Sequence, residues 1–147
     1  MPLRLVPPIH RATHRIGLYL AELRAHSLSQ GEAHILALLA HAAPATIAEL
    51  HKGLAHKRST LTSILDRLAD RGLVTRTVGR ADRRTFVITP TARGRAVAAQ
   101  VLGHLAALEE AVARKVTDAD LKAFMRVVSV VEQEADRLTG PRHKVKS

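Results

Sequence analysis

The chain has 147 residues, 46% of them apolar, no cysteine and a formal net charge of +10 at pH 7. That length fits one domain, or a small domain with dimerising extensions, and the lack of cysteine excludes disulfides, thiolate metal sites, cysteine nucleophiles and thiol redox sensing together. Tyr19, Phe86 and Phe124 are the only aromatic residues, too few for the stacking platforms that hold single-stranded nucleic acid, so a basic surface here points to duplex DNA.

After Pro7-Pro8, the residues Ile9, Ile16, Tyr19, Leu20 and Leu23 recur at helical spacing with Arg11, Arg15, Glu22 and Arg24 largely between them, which predicts a first amphipathic helix over roughly 9–25. The preceding residues carry no long apolar run, and no segment approaches the ~18 uninterrupted apolar residues of a membrane span, so the chain is expected to be cytoplasmic, with no membrane partner. Ser29 and Glu32 have capping-box spacing ahead of Ile35, Leu36, Leu38 and Leu39, predicting a second, core-forming helix that ends near His41. Pro44 breaks the chain, and Thr46 with Glu49 repeats the capping spacing over a short third helix.

A fourth helix is expected from Lys57 or Arg58, with Leu61, Ile64, Leu65 and Leu68 on one face and Gly72 ending it. Turning those leucines inward puts Ser59, Ser63, Asp66 and Asp70 outside, with Thr62 and Arg67 at the flanks. Residues 73–78 and 85–89 are rich in β-branched side chains and flank the basic connection Gly79-Arg80-Ala81-Asp82-Arg83-Arg84, which predicts a hairpin. Thr89-Pro90 suits the N-cap and first position of a long helix bearing Val97, Val101, Leu102, Leu105, Leu108 and Val112. Thr117 and Asp120 open a last helix so broadly apolar, from Leu121 to Leu138, that it calls for a partner, and Gly140-Pro141 closes it before a basic tail.

Charge is concentrated on the middle of this pattern. Between Lys52 and Arg95 eleven Lys or Arg stand against Asp66, Asp70 and Asp82, a local net charge of +8 within the +10 total. One-sided concentration of this kind is the footprint expected for binding a phosphate backbone.

Short helix, turn, second helix and basic-tipped hairpin make a winged helix-turn-helix. The stretch TIAELHKGLAHKRSTLTSILDRLADRGLVTR followed by DRRTFVITPTARG closely resembles the MarR family of bacterial transcription regulators over roughly residues 29–110. The resemblance lies in Leu61-Thr62, the run Asp66-Arg67-Leu68, Arg71-Gly72-Leu73-Val74 and the Asp-x-Arg at Asp82 and Arg84. One departure is Lys57, where the family often carries a serine at the start of the recognition helix. The expected fold is therefore mainly α with a small β-hairpin wing. Residues 1–28 would form an N-terminal dimerisation helix, 29–89 the DNA-binding region, and 90–147 the C-terminal dimerisation helices and basic tail.

The resemblance implies a homodimer on an inverted-repeat operator of double-stranded DNA, and a repressor released by a small-molecule effector. Its recognition-helix contacts would fall on Lys57, Arg58, Ser59, Thr60, Thr62, Ser63 and Arg67, whose side chains suit base edges and phosphates in the major groove. Its wing contacts would fall on Arg80, Asp82, Arg83 and Arg84, with Arg84 reaching the minor groove while Asp82 holds the wing in shape. Asp66 is expected to pair with Arg67 or Arg76 rather than face phosphate, and Arg93 and Arg95 read as solubility charges.

Two alternatives stay open. Nine histidines, with His10 and His14 one helical turn apart, allow a histidine-based metal-responsive regulator, although scattered histidines without cysteine make no ligand cluster and no metal or cofactor is expected. The charge alone would also suit a nonspecific architectural DNA-binding protein. No Gly-x-Ser-x-Gly, phosphate-cradling loop or base-paired nucleophile appears, so no enzyme activity is expected.

Overall fold

The computed structural model describes residues 2–22, 27–53 and 58–140. Along these residues the order is α1 (Val6–Ala21), α2 (Gln30–Ala42), β1 (Ala45–Thr46), α3 (Ile47–Gly53), α4 (Arg58–Asp70), β2 (Val74–Val78), β3 (Phe86–Pro90), α5 (Ala92–Ala113) and α6 (Asp118–Thr139). The chain divides into two compact units, residues 1–105 and 106–147. The mainly α composition with a small hairpin wing is as the sequence predicts.

α1 begins earlier than its apolar spacing suggests, because Pro7 and Pro8 lie inside its first turn rather than ahead of it. Proline is tolerated there: the first-turn N–H groups have no intrahelical acceptor in any case. Leu20 is its one buried residue. Tyr19 donates its hydroxyl to the His104 carbonyl at 3.0 Å, tying α1 to α5.

In α2 the capping box is only half formed. The Ser29 hydroxyl accepts from the Glu32 N–H at 3.2 Å, but the Glu32 carboxylate is engaged by α4 instead of returning to Ser29. The box at Thr46 and Glu49 is complete, with bonds of 2.7 and 3.2 Å in the two directions. Hydrogen bonds from the backbone and then the side chain of Thr46 hold the Glu49 carboxyl below its ordinary pKa. The cap is thus intact above the ordinary carboxylate range and weakens as acid protonates it.

The core of the first unit is built on α2 and α4. Ile35, Leu36, Leu39, Leu50, Leu61, Leu65, Leu68, Leu73 and Ile88 are all fully buried in it, each contributing about 1.5–3 kcal/mol through apolar burial. α4 ends in a Schellman motif around Gly72, whose φ is +69°. The Leu73 N–H donates to the Leu68 carbonyl and the Gly72 N–H to the Ala69 carbonyl, both at 2.9 Å, while Leu73 and Leu68 share the core beneath.

β2 and β3 pair antiparallel in the register Val74↔Pro90 to Val78↔Phe86. A third strand, not anticipated from the sequence, joins them: β1 pairs with β3 through Ala45↔Ile88 and Thr46↔Val87, giving the order β1-β3-β2. The start of α5 also shifts. Pro90 closes β3, and Thr91, not Thr89, caps the helix by accepting from the Gly94 N–H at 3.0 Å. Thr91 is further anchored by donating its hydroxyl to the Gly72 carbonyl at 2.7 Å. Pro90 fits a strand end because it has no N–H to leave unpaired.

α5 is the one described helix long and apolar enough to cross a membrane by length and composition. Its first turns are instead packed, with Gly94, Val97, Ala98 and Val101 buried. α6 starts with a complete box between Thr117 and Asp120, whose bonds are 2.8 and 3.2 Å. It has no buried residue, and Phe124, Met125, Val130 and Leu138 are exposed.

Gly94 is where α5 closes on the Schellman turn: a Cβ there would overlap the Leu73 carbonyl oxygen, which is backbone and has no room to move. Gly94→Ala is expected to lower unfolding stability by about 1–3 kcal/mol, read as a fall in the urea midpoint at unchanged slope, even though alanine is the better helix former.

Candidate nucleic-acid interface

The leucines of α4 set the orientation of everything on its opposite side. With Leu61, Ile64, Leu65 and Leu68 buried, Ser59, Thr60, Thr62, Ser63, Asp66, Arg67 and Asp70 are exposed. Among the described residues Ser59, Thr60, Thr62 and Ser63 make no side-chain hydrogen bond or ion pair, so four hydroxyls are available to a ligand along one helix face. Arg58 opens the helix; its side chain and all of Lys57 lie outside the described residues.

The charged residues of α4 are sorted by their partners. Asp66 pairs with Arg76 of β2 at 2.7 Å, one of the two partners its position suggested, and so braces helix against wing. Both groups are partly exposed, and such a pair adds only about 0–1 kcal/mol, so its effect is on orientation more than on stability. Arg67 does not join it. Its Nε donates to Glu32 Oε1 at 2.9 Å, and Arg71 donates to Glu32 Oε2 at 3.1 Å.

Glu32 was legible in the sequence only as a capping residue. It is the one buried charged residue of the described chain, and the arginines that reach it are four residues apart, Arg67 in the last turn of α4 and Arg71 just past its end.

The wing tip is shaped by Asp82. Its carboxylate accepts from the Arg84 N–H at 2.9 Å, and its carbonyl accepts from the Thr85 N–H and hydroxyl at 3.2 and 2.8 Å. The Gly79 N–H closes the loop on the Thr85 carbonyl at 2.9 Å. A Cβ at Gly79 would come within 2.7 Å of Thr85 Oγ1 and 2.9 Å of the Asp82 carbonyl oxygen, so only glycine fits this turn. Arg80, Arg83 and Arg84 are all exposed, and among the described residues none has a carboxylate partner. Beneath them Val78 and Phe86 pair across the strands, 54% and 49% exposed.

Arg93 and Arg95 are structural as well as charged. Arg95 donates to the Pro90 carbonyl at 3.0 Å, and Arg93 reaches the Arg71 carbonyl at 3.5 Å, so both brace the start of α5. Among the described residues no three of His, Asp and Glu gather at metal-binding distance; His26, His56 and His143 lie outside them.

The interface thus combines a neutral, hydroxyl-lined helix face with a separate cationic loop at fixed geometry. Hydroxyls suit base edges in the major groove, and unpaired arginines on a narrow projection suit phosphates or the minor groove.

Residues 28–86 match the model of the MarR family. No protein of curated function matches the sequence. Among solved structures, the chain is similar to S. aureus MepR in a DNA complex, with a TM-score of 0.81 at 14% identity over 92% of this chain and 100% of that one. It is also similar to a mutant of E. coli MarR complexed with operator DNA, with a TM-score of 0.72 at 25% identity over 87% and 91% of the two chains. PcaV of Streptomyces coelicolor, in complex with its natural ligand, gives a TM-score of 0.77 at 16% identity over 92% and 99%.

Asp82→Ala should leave global stability nearly unchanged while freeing the wing tip. The measurement is amide hydrogen exchange: protection at Arg84 is expected to fall by about tenfold, as for loss of a hydrogen bond of ~1.4 kcal/mol, with α4 unaffected.

Proposed function

We propose that the chain, whose residues 28–86 match the model of the MarR family, is a sequence-specific regulator of transcription on double-stranded DNA, a cytoplasmic homodimeric repressor that a small-molecule ligand releases. The observation that carries this reading is the pairing of four unengaged hydroxyls on α4 with three arginines on the wing that lack carboxylate partners. Asp66 and Asp82, the acids nearest the proposed contacts, are each turned to an internal partner, so neither carboxylate is left free to oppose phosphate.

In this reading α4 enters the major groove with its N-terminal half, presenting Lys57, Arg58, Ser59, Thr60, Thr62 and Ser63. Arg84 enters the flanking minor groove, and Arg80 and Arg83 hold phosphates on either side. Residues 29–89 do this work, and residues 1–28 and 90–147 serve dimerisation. The exposed apolar side chains of α1 and α6 are closed by a second copy, whose two-fold symmetry sets an inverted repeat with half-sites about one helical turn apart. MepR and MarR, which share the fold, are seen with DNA, and PcaV is seen with its ligand, which supports the DNA and effector clauses. An effector acts here only by binding the DNA-competent and incompetent dimers with different affinity, since equal affinity shifts neither.

The deciding experiment compares binding to DNA upstream of the chain's own gene with binding to a scrambled duplex at the same salt. A specific regulator prefers the first by at least ~10³-fold; equal affinities refute the reading in favour of an architectural protein. Arg84→Ala is expected to weaken specific binding by about 1–3 kcal/mol with the dimer intact by sedimentation. Unchanged affinity refutes its place in the groove.

A further inference from the structure

Glu32 stands outside the exposed face just described, yet the arginines that neutralise it are Arg67 in the last turn of α4 and Arg71 directly after its end. Its side chain is only 7% exposed, and each carboxylate oxygen accepts one guanidinium N–H, from Arg67 Nε at 2.9 Å and from Arg71 at 3.1 Å. The two arginines are used differently. Arg71 also donates to the Ser27 carbonyl at 3.2 Å, so it is turned inward onto the entry to α2. Arg67 is 52% exposed and spends its Nε on Glu32, while its two terminal nitrogens have no hydrogen-bond partner among the described residues.

Position along α4 says what those nitrogens meet. Arg67 lies nine residues beyond Arg58, the first residue of α4, which at ~1.5 Å per residue is about 13–14 Å along the helix. The major groove is only ~12 Å wide. With the N-terminal half of α4 in the groove, Arg67 sits at its rim, over phosphates rather than bases. A guanidinium held through Nε by a buried carboxylate presents its outer edge in one fixed orientation, and that edge is suited to the oxygens of a phosphate.

Resting on the regulator reading above, we propose that Glu32 is a positioning residue for DNA binding. Its buried carboxylate fixes Arg67 so that the two terminal nitrogens clamp a backbone phosphate at the rim of the major groove. Charge and geometry then predict opposite outcomes for Glu32→Gln. Removing the carboxylate makes the chain more cationic, which by electrostatics alone strengthens binding to any DNA. Losing the orientation of Arg67 weakens binding only where α4 is seated in register.

The test uses the full chain and two duplexes, one recovered from a randomised pool by the wild-type protein and a scrambled duplex of the same composition. Folding of each variant is checked by thermal unfolding and sedimentation. For Glu32→Gln the affinity for the selected duplex is expected to fall about tenfold, as for one charge-assisted contact, while affinity for the scrambled duplex is unchanged or higher. The slope of log K against log[salt] on the selected duplex should drop by about 0.9, one phosphate contact. Arg67→Ala should show the same losses, and adding Glu32→Gln to it should change nothing further.

A folded Glu32→Gln protein with wild-type preference and slope overturns the proposal, as does a double variant much weaker than Arg67→Ala. If Glu32→Gln does not fold, Arg67→Lys decides: lysine keeps the charge but has no Nε edge, so wild-type affinity overturns the proposal and a loss near tenfold supports it. Failure of the regulator reading looks different. There the wild-type protein recovers no sequence from the pool, and the positioning role falls with it.

Discussion

A buried carboxylate is costly to desolvate, and a fold that contains one has to bring compensating charge to it or leave it neutral. Glu32 meets this requirement with two arginines from the C-terminal end of α4 and the turn that follows it, at 2.9 and 3.1 Å, and no buried side-chain polar atom of the described residues is left without a partner. The constraint works in both directions. Hydrophobic packing between α2 and α4 is permissive, since leucine against leucine tolerates small slides and rotations. Two charge-assisted bonds to one carboxylate fix the rotation of α4 about its axis, and therefore which of its residues face outward. Removing Glu32 releases both arginines, and removing either arginine leaves the buried carboxylate with one cation in place of two.

The same anchoring is repeated at the other edge of α4. The helix ends in the Schellman turn at Gly72, and Thr91 hangs the start of α5 from that turn through the Gly72 carbonyl. Arg93 reaches the Arg71 carbonyl from α5, while Asp66 links the outer face to β2 through Arg76. The exposed side of α4 and the wing are thus held by polar contacts that come from behind and from the side. That leaves the hydroxyls in front uncommitted, as a surface that reads base edges requires. The wing follows the same principle on a smaller scale, since Asp82 uses its carboxylate to shape the backbone and the neighbouring arginines have no carboxylate partner among the described residues.

Much of this was legible in the sequence because it is local. Helix periodicity located the buried leucines of α4, and capping spacing located the starts of α2, α3 and α6. Gly72 marked a stop, and the Asp-x-Arg pattern marked the wing. What was missed depends on contacts between residues distant in sequence. β1 is two residues long, too short for any alternation, and exists only because Ile88 and Val87 lie alongside it. The capping box at Ser29 and Glu32 had the right spacing, but two arginines some 35 and 39 residues away compete for the carboxylate and win, because a charged donor outweighs a neutral N–H. Thr89-Pro90 and Thr91 are both plausible helix starts by residue type. The choice fell to Thr91 because β3 continues its pairing as far as Pro90. Arg93 and Arg95 read as solubility charges because nothing local shows the carbonyls they reach.

The helices outside the winged region raise a different question of balance. α6 has 22 residues and a complete N-terminal capping box, yet buries none of its side chains. Most helix stability in proteins comes from packing an apolar face, since nucleation is unfavourable and propagation only marginally favourable. A helix whose exposed face carries Phe124, Met125 and Val130 is stable for the reasons its sequence suggests only once that face is covered. If a second copy covers it, as proposed, the cover also sets the separation of the two winged units. Each unit alone would make few contacts, but two held at a fixed spacing would bind one inverted repeat with the second engagement made intramolecular. Specificity for a DNA site would then rest on Phe124 or Val130, which would hold the spacing, as much as on Ser63 or Arg84, the proposed DNA contacts. A ligand that altered the spacing without touching α4 would be sufficient to release it.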